Sequence, residues 1–489
     1  MSEGISLSDL SPYARHLATE SLEWSEGFWD PDSALLWSHR QDDAVLMVRN
    51  SVWFAVGLLL RNRGDDVEQA CRTIDAIIDN QFDEPGKPYH GTFYRYVGEP
   101  HPSEGDAVMW RTYDPNWRQF IGLGFATVLE EYEDRLPRRL IDRMIRSLEM
   151  AVVGEPPDRC PPTYSNIALM KAAMCVWVGK RIGNDEMVLY GEEFGGEVYR
   201  LFAQNNAFAE YNSPTYYGVN LYALGFWRRY LENSALHELG AYMEAELWRD
   251  IARYYHAGLG NLCGPFSRSY GMDMKHYTAL TSLHIWLAFG REMTPFPGGE
   301  EINAEFNYGP CLAILGVDAP LEIAAAFSVF EGPRGVEKRI TTEPERVATA
   351  WLDEHYMIGA EDSGGYSGRN FQYHPATIHW RMSDGETGWL ALRHIGQIAA
   401  KAELGRLSIE AEIKGEQQTE AGHPREFVFE IFSPNVAVFE GDVWRLDGLD
   451  IGIETDIAQR AVEITGTTAI VTFTAAPDQS RVKFDLSIA

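Results

Sequence analysis

The sequence predicts a protein of two domains, an N-terminal (α/α) toroid of helical hairpins, incomplete or closed, followed by an antiparallel β-sandwich. Three observations predict this fold class: the length and apolar content, a change of hydrophobic period near residue 335, and a tyrosine motif that recurs before it. The chain has 489 residues, of which 45% are hydrophobic and 12% aromatic. Such a chain buries a large core and normally divides into more than one domain.

Segments with the 3.6-residue period of helices dominate the chain before residue 335. Each is long and either amphipathic or apolar throughout, which is typical of packed helices. The segments are SALLWSHRQDDAVLMVRNSVWFAVGLLLRN, VEQACRTIDAIIDNQF, NWRQFIGLGFATVLEEYEDRL, NIALMKAAMCVWVGKRI, LHELGAYMEAELWRDIARYYHAGL and MKHYTALTSLHIWLAFGREM. We therefore predict a helical, catalytic domain over residues 1–335.

Short runs with alternating hydrophobicity follow residue 335. Period-two alternation between turn residues is typical of half-buried antiparallel strands. Examples are ATIHWRMS, GWLALRHI, LSIEAEIK, EFVFEIFS and RVKFDLSIA. We therefore predict an antiparallel β-sandwich over residues 336–489.

A hydroxyl residue followed by tyrosine recurs once per predicted hairpin. The pairs are Thr112-Tyr113, Thr163-Tyr164, Thr215-Tyr216 and Ser269-Tyr270. Successive tyrosines lie 51, 52 and 54 residues apart, which is the length of two helices with their loops. Equivalent positions in a ring or arc of hairpins reach the same rim, so we expect the four tyrosines to line one cleft. The alternative is that Thr and Ser only cap helices and Tyr only fills the seams.

The composition argues against several classes of protein. A formal net charge of −30 disfavours binding to nucleic acid or to an anionic membrane, since both need a basic surface. We expect a cytoplasmic protein, because no apolar run reaches the roughly 20 residues of a membrane span and no signal-peptide pattern begins the chain. Five cysteines without a CxxC pair indicate reduced thiols that pack in the core. The oligomeric state stays open.

The order of these elements resembles a known group of enzymes. Helical hairpins of this period before a β-sandwich, with Asn, Tyr, His and Arg at the helix entrances, are similar to the toroid-plus-sandwich polysaccharide lyases, the heparinase II/III-like, chondroitin and alginate lyase group. The stretch ATAWLDEHYMIGAEDSGGY at 348–366 resembles the strand by which heparinase-like enzymes enter their sandwich. The resemblance implies a carbon–oxygen lyase that cleaves an anionic, uronic-acid-containing oligo- or polysaccharide by β-elimination.

The sequence requires no cofactor. It lacks the GxGxxG, GxxxxGK[ST], HExxH and GxSxG motifs of nucleotide-binding proteins, zinc proteases and α/β-hydrolases in their usual contexts. Some heparinase-type enzymes hold a structural zinc in the sandwich, and that resemblance makes His374, His379 and His394 candidate ligands.

Elimination from a uronic acid sets three chemical tasks. The carboxylate must be neutralised, a base must take the C5 proton, and an acid must protonate the leaving oxygen. EYNSPTYYGVNLYALG at 210–225 offers Asn212 as neutraliser and Tyr216 or Tyr217 as acid or base. The alternatives are that Asn212 caps the next helix and that Glu210 compensates its dipole.

A second candidate segment is GPFSRSYGMDMKHYTAL at 264–280. On a helix, Asp273, His276 and Tyr277 would share one face, and Asp273 would orient His276. Arg268 would pair with a substrate carboxylate, and Tyr270 is a further acid or base. The alternative is an internal Arg268–Asp273 salt bridge with His276 packed in the seam.

The predicted sandwich contributes GGYSGRNFQYHPATIHWR at 364–381, in which His374 precedes a proline and should be extended and available for catalysis. The predicted catalytic set is Asn212, Tyr216, Tyr217, Arg268, Tyr270, His276 and His374. The predicted substrate-binding set is Arg111, Tyr113, Asn116, Trp117, Tyr164, Asn166, Glu210, Asp273, Arg369 and Gln372. Trp117 is either a platform for a sugar or a core residue.

Three other functions remain open from the sequence. A glycoside hydrolase on the same toroid would need two carboxylates, for which Asp114, Glu210 and Asp273 are candidates. A dehydratase or isomerase of a small hydrophobic alcohol would suit an aromatic bore, although the arginines argue against it. A non-catalytic protein would use the tyrosines only to stack sugars.

Overall fold

The computed structural model describes residues 4–39, 43–365, 372–414, 422–434 and 437–489. Within this part, α-helices occur before residue 329 and the large sheet begins at residue 334. The α-helices are α1 Pro12–Glu26, α2 Val48–Arg61, α3 Asp66–Asp79, α4 Trp117–Tyr132, α5 Arg138–Val153, α6 Ser165–Ile182, α7 Asp185–Ala203, α8 Tyr216–Tyr230, α9 Ala235–Tyr254, α10 Leu280–Phe289, α11 Gly309–Leu315 and α12 Ala324–Ser328. Short 3₁₀ turns are Pro102–Glu104, Glu133–Arg135, Arg291–Met293, Gly299–Glu301, Ala304–Tyr308 and Leu321–Ile323.

The strands fall into two small sheets and one large sheet. The small sheets are formed by β1 Trp29–Asp30, β2 Leu35–Trp37 and β3 Leu46–Met47, and by β4 Tyr255–His256 and β5 Asn261–Leu262. The large sheet contains β6 Arg334–Thr342, β7 Glu345–Leu352, β8 Tyr356–Asp362, β9 Ala376–Arg381, β10 Thr387–Arg393, β11 Gln397–Glu403, β12 Arg406–Glu412, β13 Glu426–Phe432, β14 Ala437–Glu440, β15 Val443–Leu446, β16 Leu449–Thr455, β17 Gln459–Thr465, β18 Thr468–Thr474 and β19 Arg481–Ile488.

The helices form antiparallel hairpins arranged in a ring. The pairs α2/α3, α4/α5, α6/α7 and α8/α9 pack together, and the first helix of each pair contacts the first helix of the next pair. Helix α10 continues this series after α8, and α1 contacts both α10 and α2. Helix α11 contacts α1, α2, α8 and α10. The inner contacts therefore return to their starting point, so the ring is closed.

Inner and outer helices differ in their sequence pattern. The inner helices α2, α4, α6, α8 and α10 are buried on almost every side, whereas α3, α5, α7 and α9 bury one face. A helix that is apolar all round requires burial on all sides, and an amphipathic helix covers it. This difference explains why some helical segments of the sequence are amphipathic and others are apolar throughout.

The large sheet is antiparallel and folds over a second core. Its order is β14-β15-β16-β19-β12-β11-β8-β9-β10-β13-β18-β17, with β7 between β6 and β8. Phe429 of β13 and Phe473 of β18 contact Phe484 of β19 at ring distances of 5.3 and 5.2 Å, although β19 is hydrogen-bonded to neither strand. Two halves of the sheet therefore face each other across a packed interior. The predicted fold class, a helical toroid followed by an antiparallel β-sandwich, is confirmed.

The first strands of the sheet extend the core of the helical ring. The sheet residues in that core are Ile340, Ala348, Ala350, Leu352, Met357 and Ala391. Arg346 of β7 donates hydrogen bonds to Glu361 at 2.8 Å and to the carbonyl of Ala209 at 2.9 Å, which attaches the segment before α8 to the sheet. The main chains of Phe266 and His374 also bond to each other in both directions, at 3.0 and 2.9 Å.

Two further sequence expectations concern cysteines and membrane spans. All five cysteines lie in the described part of the chain; each is free, and four of them are buried. No helix among the described residues combines the length and the apolar character needed to cross a bilayer.

Ring closure depends on a close contact between α8 and α10. A Cβ atom on Gly218 would lie 2.4 Å from the backbone of Leu280 and Thr281, so Gly218→Ala forces the two helices apart. Overpacking of this kind costs about 1–3 kcal/mol, and we expect a lower melting temperature by circular dichroism. Gly196→Ala in α7 is the control, since its Cβ meets nothing within 4 Å and helix propensity favours Ala by about 0.5–1 kcal/mol. An unchanged melting temperature of Gly218→Ala would contradict this packing.

His276 makes a charged contact between the ring and the sheet. Its Nδ1 lies 3.0 Å from Glu301, and its Nε2 lies 3.7 Å from Glu386 in the β9–β10 turn and 4.0 Å from Asp273. Burial alone would lower the pKa of His276, but these carboxylates outweigh it and raise the pKa above the ordinary 6.5. The charged histidine therefore stabilises the fold fully below pH 6.5, and this contribution is lost as the pH rises through the raised pKa.

We expect His276→Gln to lower the melting temperature in acidic buffer and to match the wild type in alkaline buffer. Melting curves over a pH series test this. Glu301→Gln should reproduce part of the effect, whereas Glu300→Gln beside it should not. A difference between His276→Gln and wild type that is constant across the series would refute the charge argument.

Candidate active site

The segments that precede α6, α8 and α10 meet at one rim of the ring. Tyr164 is the residue before α6, Tyr216 is the first residue of α8, and Tyr270 lies in the loop before α10. The Arg268 guanidinium lies 3.8 Å from the ring centroid of Tyr216 and 5.9 Å from that of Tyr164. Thr215 is the cap residue of α8 but makes no side-chain capping bond, and the cap residues of α6 and α10 are Tyr164 and Ala279, so Thr163, Thr215 and Ser269 are not conventional caps.

Arg268 is the centre of this cluster. Its Nη1 donates to Glu210 Oε1 at 2.6 Å, its Nη2 donates to the Tyr216 hydroxyl at 2.6 Å, and its Nε donates to Gln372 Oε1 at 3.0 Å. Burial alone would lower the pKa of Arg268, but Glu210 and the tyrosines outweigh it and raise the pKa above its ordinary value. All three nitrogens of this permanent cation are therefore occupied by the protein itself.

Glu210 connects Arg268 to the start of α6. Its Oε2 accepts hydrogen bonds from Ser165 Oγ at 3.0 Å and from Asn166 Nδ2 at 2.6 Å, while Oε1 faces Arg268. Glu210, Asn166 and Gln372, predicted as substrate-binding residues, are thus brought together around Arg268. Their described contacts are with the protein, and they fix the guanidinium in one orientation.

Tyr216 connects Arg268 to Tyr270 through hydrogen bonds. The two hydroxyls are 2.8 Å apart; Tyr216 is 8% exposed, whereas Tyr270 is 57% exposed. Because Tyr216 accepts a hydrogen bond from Arg268, its own proton is available for Tyr270. Burial raises the pKa of Tyr216 well above its ordinary value despite the opposing charge of Arg268, so Tyr216 stays a neutral donor. The hydrogen-bond chain from Arg268 therefore ends at an exposed phenol.

A second polar chain reaches Tyr164 from the residue that precedes α4. Asn116 Nδ2 donates to the Tyr164 hydroxyl at 2.8 Å, and Arg159 Nη1 donates to Asn116 Oδ1 at 2.6 Å. Burial raises the pKa of Tyr164 to about 12, and Arg268 opposes the shift. Tyr113, the first tyrosine of the repeat, is buried with Phe82 and Tyr89 instead of at this rim.

The opposite wall contains residues that the sequence analysis did not identify. Arg49 of α2 lies 5.2 Å from the ring centroid of Trp117 and 3.5 Å from Glu305. It is close enough to Tyr270 and Tyr308 to interact with both electrostatically. The sequence did contain a signal for Arg49: it is a cation in the first turn of the apolar helix VRNSVWFAVGLLLR, where burying an unpaired charge is costly. Glu305 and Tyr308 lie in a short turn and gave no comparable signal.

Asn212 and Tyr217 are not brought to the exposed phenol. Asn212 is 1% exposed, has a φ of +48°, and donates to the carbonyls of Cys263 and Pro265 at 2.7 and 2.9 Å. The Tyr217 hydroxyl donates to Asp250 at 3.1 Å in the interior, and Tyr217 is 1% exposed. Both side chains are used to hold loops and helices together.

The predicted helix over Asp273, His276 and Tyr277 is wrong, because α10 begins only at Leu280. Asp273 Oδ1 accepts a hydrogen bond from the amide of Lys275, a local turn that competes with helix formation. Asp273 and His276 remain neighbours, but they belong to the contact between ring and sheet described above. The alternative salt bridge from Arg268 to Asp273 does not occur, since Arg268 pairs with Glu210.

His374 is extended, as predicted, but it is only 4% exposed. Burial, assisted by the nearby Arg393, lowers the pKa of His374 to about 3, so its imidazole is neutral. His379 and His394 bond to the carbonyls of Met272 and Glu426 at 2.9 Å each. Within the described ranges, no three His, Cys, Asp or Glu side chains are grouped so that they could hold a metal ion.

The remaining predicted residues have mixed positions. Trp117 is 5% exposed and belongs to the core, so the core interpretation applies. Arg111 is on the surface. Arg369 lies outside the described residues.

Several solved structures are similar to this chain at low sequence identity. Chondroitin AC lyase of Streptomyces coelicolor, solved with chondroitin sulphate, is 10% identical with a TM-score of 0.46, over 98% of this chain and 80% of the lyase. Heparan sulfate lyase HepC of Pedobacter heparinus is 9% identical with a TM-score of 0.36, over 98% and 83%. Endoglucanase CelQ of Clostridium thermocellum is 10% identical with a TM-score of 0.30, over 98% and 92%. Two of the three belong to the group that the sequence resembles.

No curated protein is significantly similar in sequence. Two family models match the chain. The domain of unknown function DUF8770 matches residues 336–471, in the β-sheet part of the chain. Residues 15–316, which include the whole rim cluster except Gln372, match the domain of unknown function DUF8769. The chain therefore belongs to the DUF8769 family.

Proposed function

We propose that this rim cluster is the active site of a carbohydrate lyase that cleaves a uronic-acid-containing oligo- or polysaccharide by β-elimination. One observation carries the proposal: the hydrogen-bond chain from Arg268 through Tyr216 to Tyr270, which ends in a phenol that is 57% exposed. A stack of neutral sugars would need only the rings of the tyrosines. A chain of polarised hydroxyls that ends in one accessible oxygen suits proton transfer.

Tyr270 is the acid–base group in this mechanism. Its oxygen lies within hydrogen-bond distance of the Tyr216 hydroxyl, whose own oxygen accepts a hydrogen bond from Arg268. The phenolate takes the C5 proton of the uronate, the C4–C5 double bond forms, and the C4–O bond breaks. The new Tyr270 phenol then gives its proton to the leaving oxygen, so the enzyme returns to its starting state.

Arg49 is the cation that best suits the substrate carboxylate. Arg268 is fully occupied, whereas Arg49 has one described hydrogen bond, a 3.5 Å contact to Glu305, and is within electrostatic range of Tyr270. Neutralisation of the carboxylate makes the adjacent C5 proton more acidic, which is the electrostatic contribution that elimination needs. Asn212, the neutraliser predicted from the sequence, is buried and donates to two main-chain carbonyls instead.

Tyr270→Phe should lower kcat on uronic-acid oligosaccharides by about 10²–10⁴-fold, the usual contribution of a general acid or base. The measurement is the ultraviolet absorbance of the unsaturated product, recorded on a panel of uronic-acid oligosaccharides. Tyr242→Phe is the control, since it removes an exposed hydroxyl of α9 that bonds to Asn206. Full turnover in Tyr270→Phe would remove Tyr270 from the mechanism.

Arg49→Met should lower kcat/KM for uronate substrates by about 10–10³-fold, the loss expected for one electrostatic contact to the transition state. Arg138→Met, which removes a surface arginine paired with Asp142, is the matched control. Steady-state kinetics on the oligosaccharide and on its methyl ester, whose carboxyl group is neutral but still acidifies C5, test this role of Arg49, because the loss should be smaller on the ester. If Arg49→Met lowers the melting temperature but leaves kcat/KM unchanged, Arg49 is only structural.

Glycoside hydrolysis is the second candidate function. Burial raises the pKa of Glu305, as a general acid requires, although Arg49 opposes the shift, and both Glu305 and Asp114 interact with Arg49. The other two carboxylates predicted for a hydrolase have different contacts. Glu210 is paired with Arg268, and Asp273 lies in the turn beside His276. New reducing ends without an unsaturated product, lost in Glu305→Gln, would favour this function over elimination.

A further inference from the structure

A cavity of about 370 Å³ lies between α5, α6 and α7. Its apolar lining includes Ala151, Val152, Met174 and Met187. Two carboxylates also line it: Glu155, which is paired with Arg159, and Glu186, which is exposed to solvent. The residues around Arg268 and Tyr270 do not line it. The cavity is large enough for a small organic molecule and is separate from the proposed active site.

A buried cation lines this cavity. Lys171 of α6 is 5% exposed, and its Nζ has no hydrogen-bond partner among the described residues. The ammonium group lies 4.5 Å from the ring centroid of Phe194 and 5.4 Å from that of Tyr190. Aromatic rings attract a cation, but they replace none of the hydrogen bonds that an ammonium group makes in water. A lysine in this position is poised to receive an anion.

Tyr190 lies between this ammonium group and solvent-exposed surface of α7. Its ring also lines the cavity and is 44% exposed, so it is free to turn toward solvent. Phe194 beneath it is 8% exposed and is fixed in the core.

A second unpaired polar atom lines the same cavity. Gln119 of α4 is 2% exposed, and its Nε2 donates to Glu155 at 2.8 Å. This bond leaves Oε1 as an acceptor without a partner in the described part of the chain. The cavity therefore combines an apolar wall, a cation that needs an acceptor and a carbonyl that needs a donor.

We propose that this cavity binds a small carboxylic acid with an apolar, hydroxyl-bearing body. The carboxylate pairs with Lys171, the apolar body lies against Met174 and Met187, and the hydroxyl donates to Gln119. Because the protein has a net charge of −30, this buried lysine does not belong to a general basic surface. The site does not depend on the activity proposed for Tyr270.

The test uses the full chain and 3-(4-hydroxyphenyl)propionate as the probe, with isothermal titration calorimetry as the readout. The uncharged methyl ester of the probe should bind at least tenfold more weakly. Lys171→Met should lower the affinity for the acid at least tenfold. Lys180→Met is the matched control, since it removes an exposed lysine from the same helix without changing the cavity, and it should bind normally.

Two further variants separate binding from folding. Met187→Trp fills the apolar part of the cavity while Lys171 is kept, and it should abolish binding. Gln119→Met should remove the preference for the hydroxylated acid over 3-phenylpropionate, but the binding of 3-phenylpropionate should persist. Melting curves of Lys171→Met should match or exceed those of the wild type, because the variant removes a buried charge without a hydrogen bond. Equal binding of acid and ester, unchanged affinity in Lys171→Met, or no heat with the wild type would each overturn the proposal.

Discussion

The ion pair between Arg268 and Glu210 is the interaction on which the rim of this protein depends. Glu210 precedes α8, Arg268 precedes α10, and Glu210 also bonds to the start of α6 through Ser165 and Asn166. Burying two charges is costly unless their remaining donors and acceptors are satisfied, and here Tyr216 and Gln372 complete the set. Three helix entrances and one segment of the sheet domain are thus fixed to a single guanidinium.

The same pair explains why the tyrosines of the repeat have different environments. Tyr164 and Tyr216 lie against Arg268, so their hydroxyls are directed by neighbours within the protein. Tyr270 is bonded only to Tyr216 among the described contacts of its side chain and faces solvent. Tyr113 lies one hairpin earlier and packs on Tyr89, beyond the reach of Arg268. The sequence repeat places these tyrosines, and the ion pair gives them different chemistry.

The fold was largely predictable because hydrophobic period reports burial directly. Helix α2 is apolar on all sides and α3 on one side, and this alternation is the pattern of an inner and an outer ring. The prediction was wrong in the segment before α10, because a local turn at Asp273 prevents the helix that the spacing of Asp273 and His276 suggested. A bond between a side chain and the adjacent main chain leaves no periodic signal.

The site was predictable only in part, because polarity in a sequence does not reveal exposure. Asn212 and His374 have the residue types that catalysis uses, yet both are buried, and Asn212 satisfies carbonyls that an irregular loop leaves unpaired. Arg49 and Tyr308 come from opposite ends of the helical domain and meet because the ring closes. No local pattern encodes a contact between residues so far apart in sequence.

The net charge of −30 constrains how this protein can hold an anion. The surface as a whole repels a polyanion, so the anion binding proposed above would depend on a few cations in low-dielectric surroundings, where a charge acts more strongly than in water. Arg268 is already neutralised by Glu210, whereas Arg49 lies over aromatic rings and has one long contact to Glu305. The two arginines therefore differ: Arg268 organises the hydrogen bonds that lead to Tyr270, and Arg49 is the cation that the proposed elimination assigns to the substrate carboxylate.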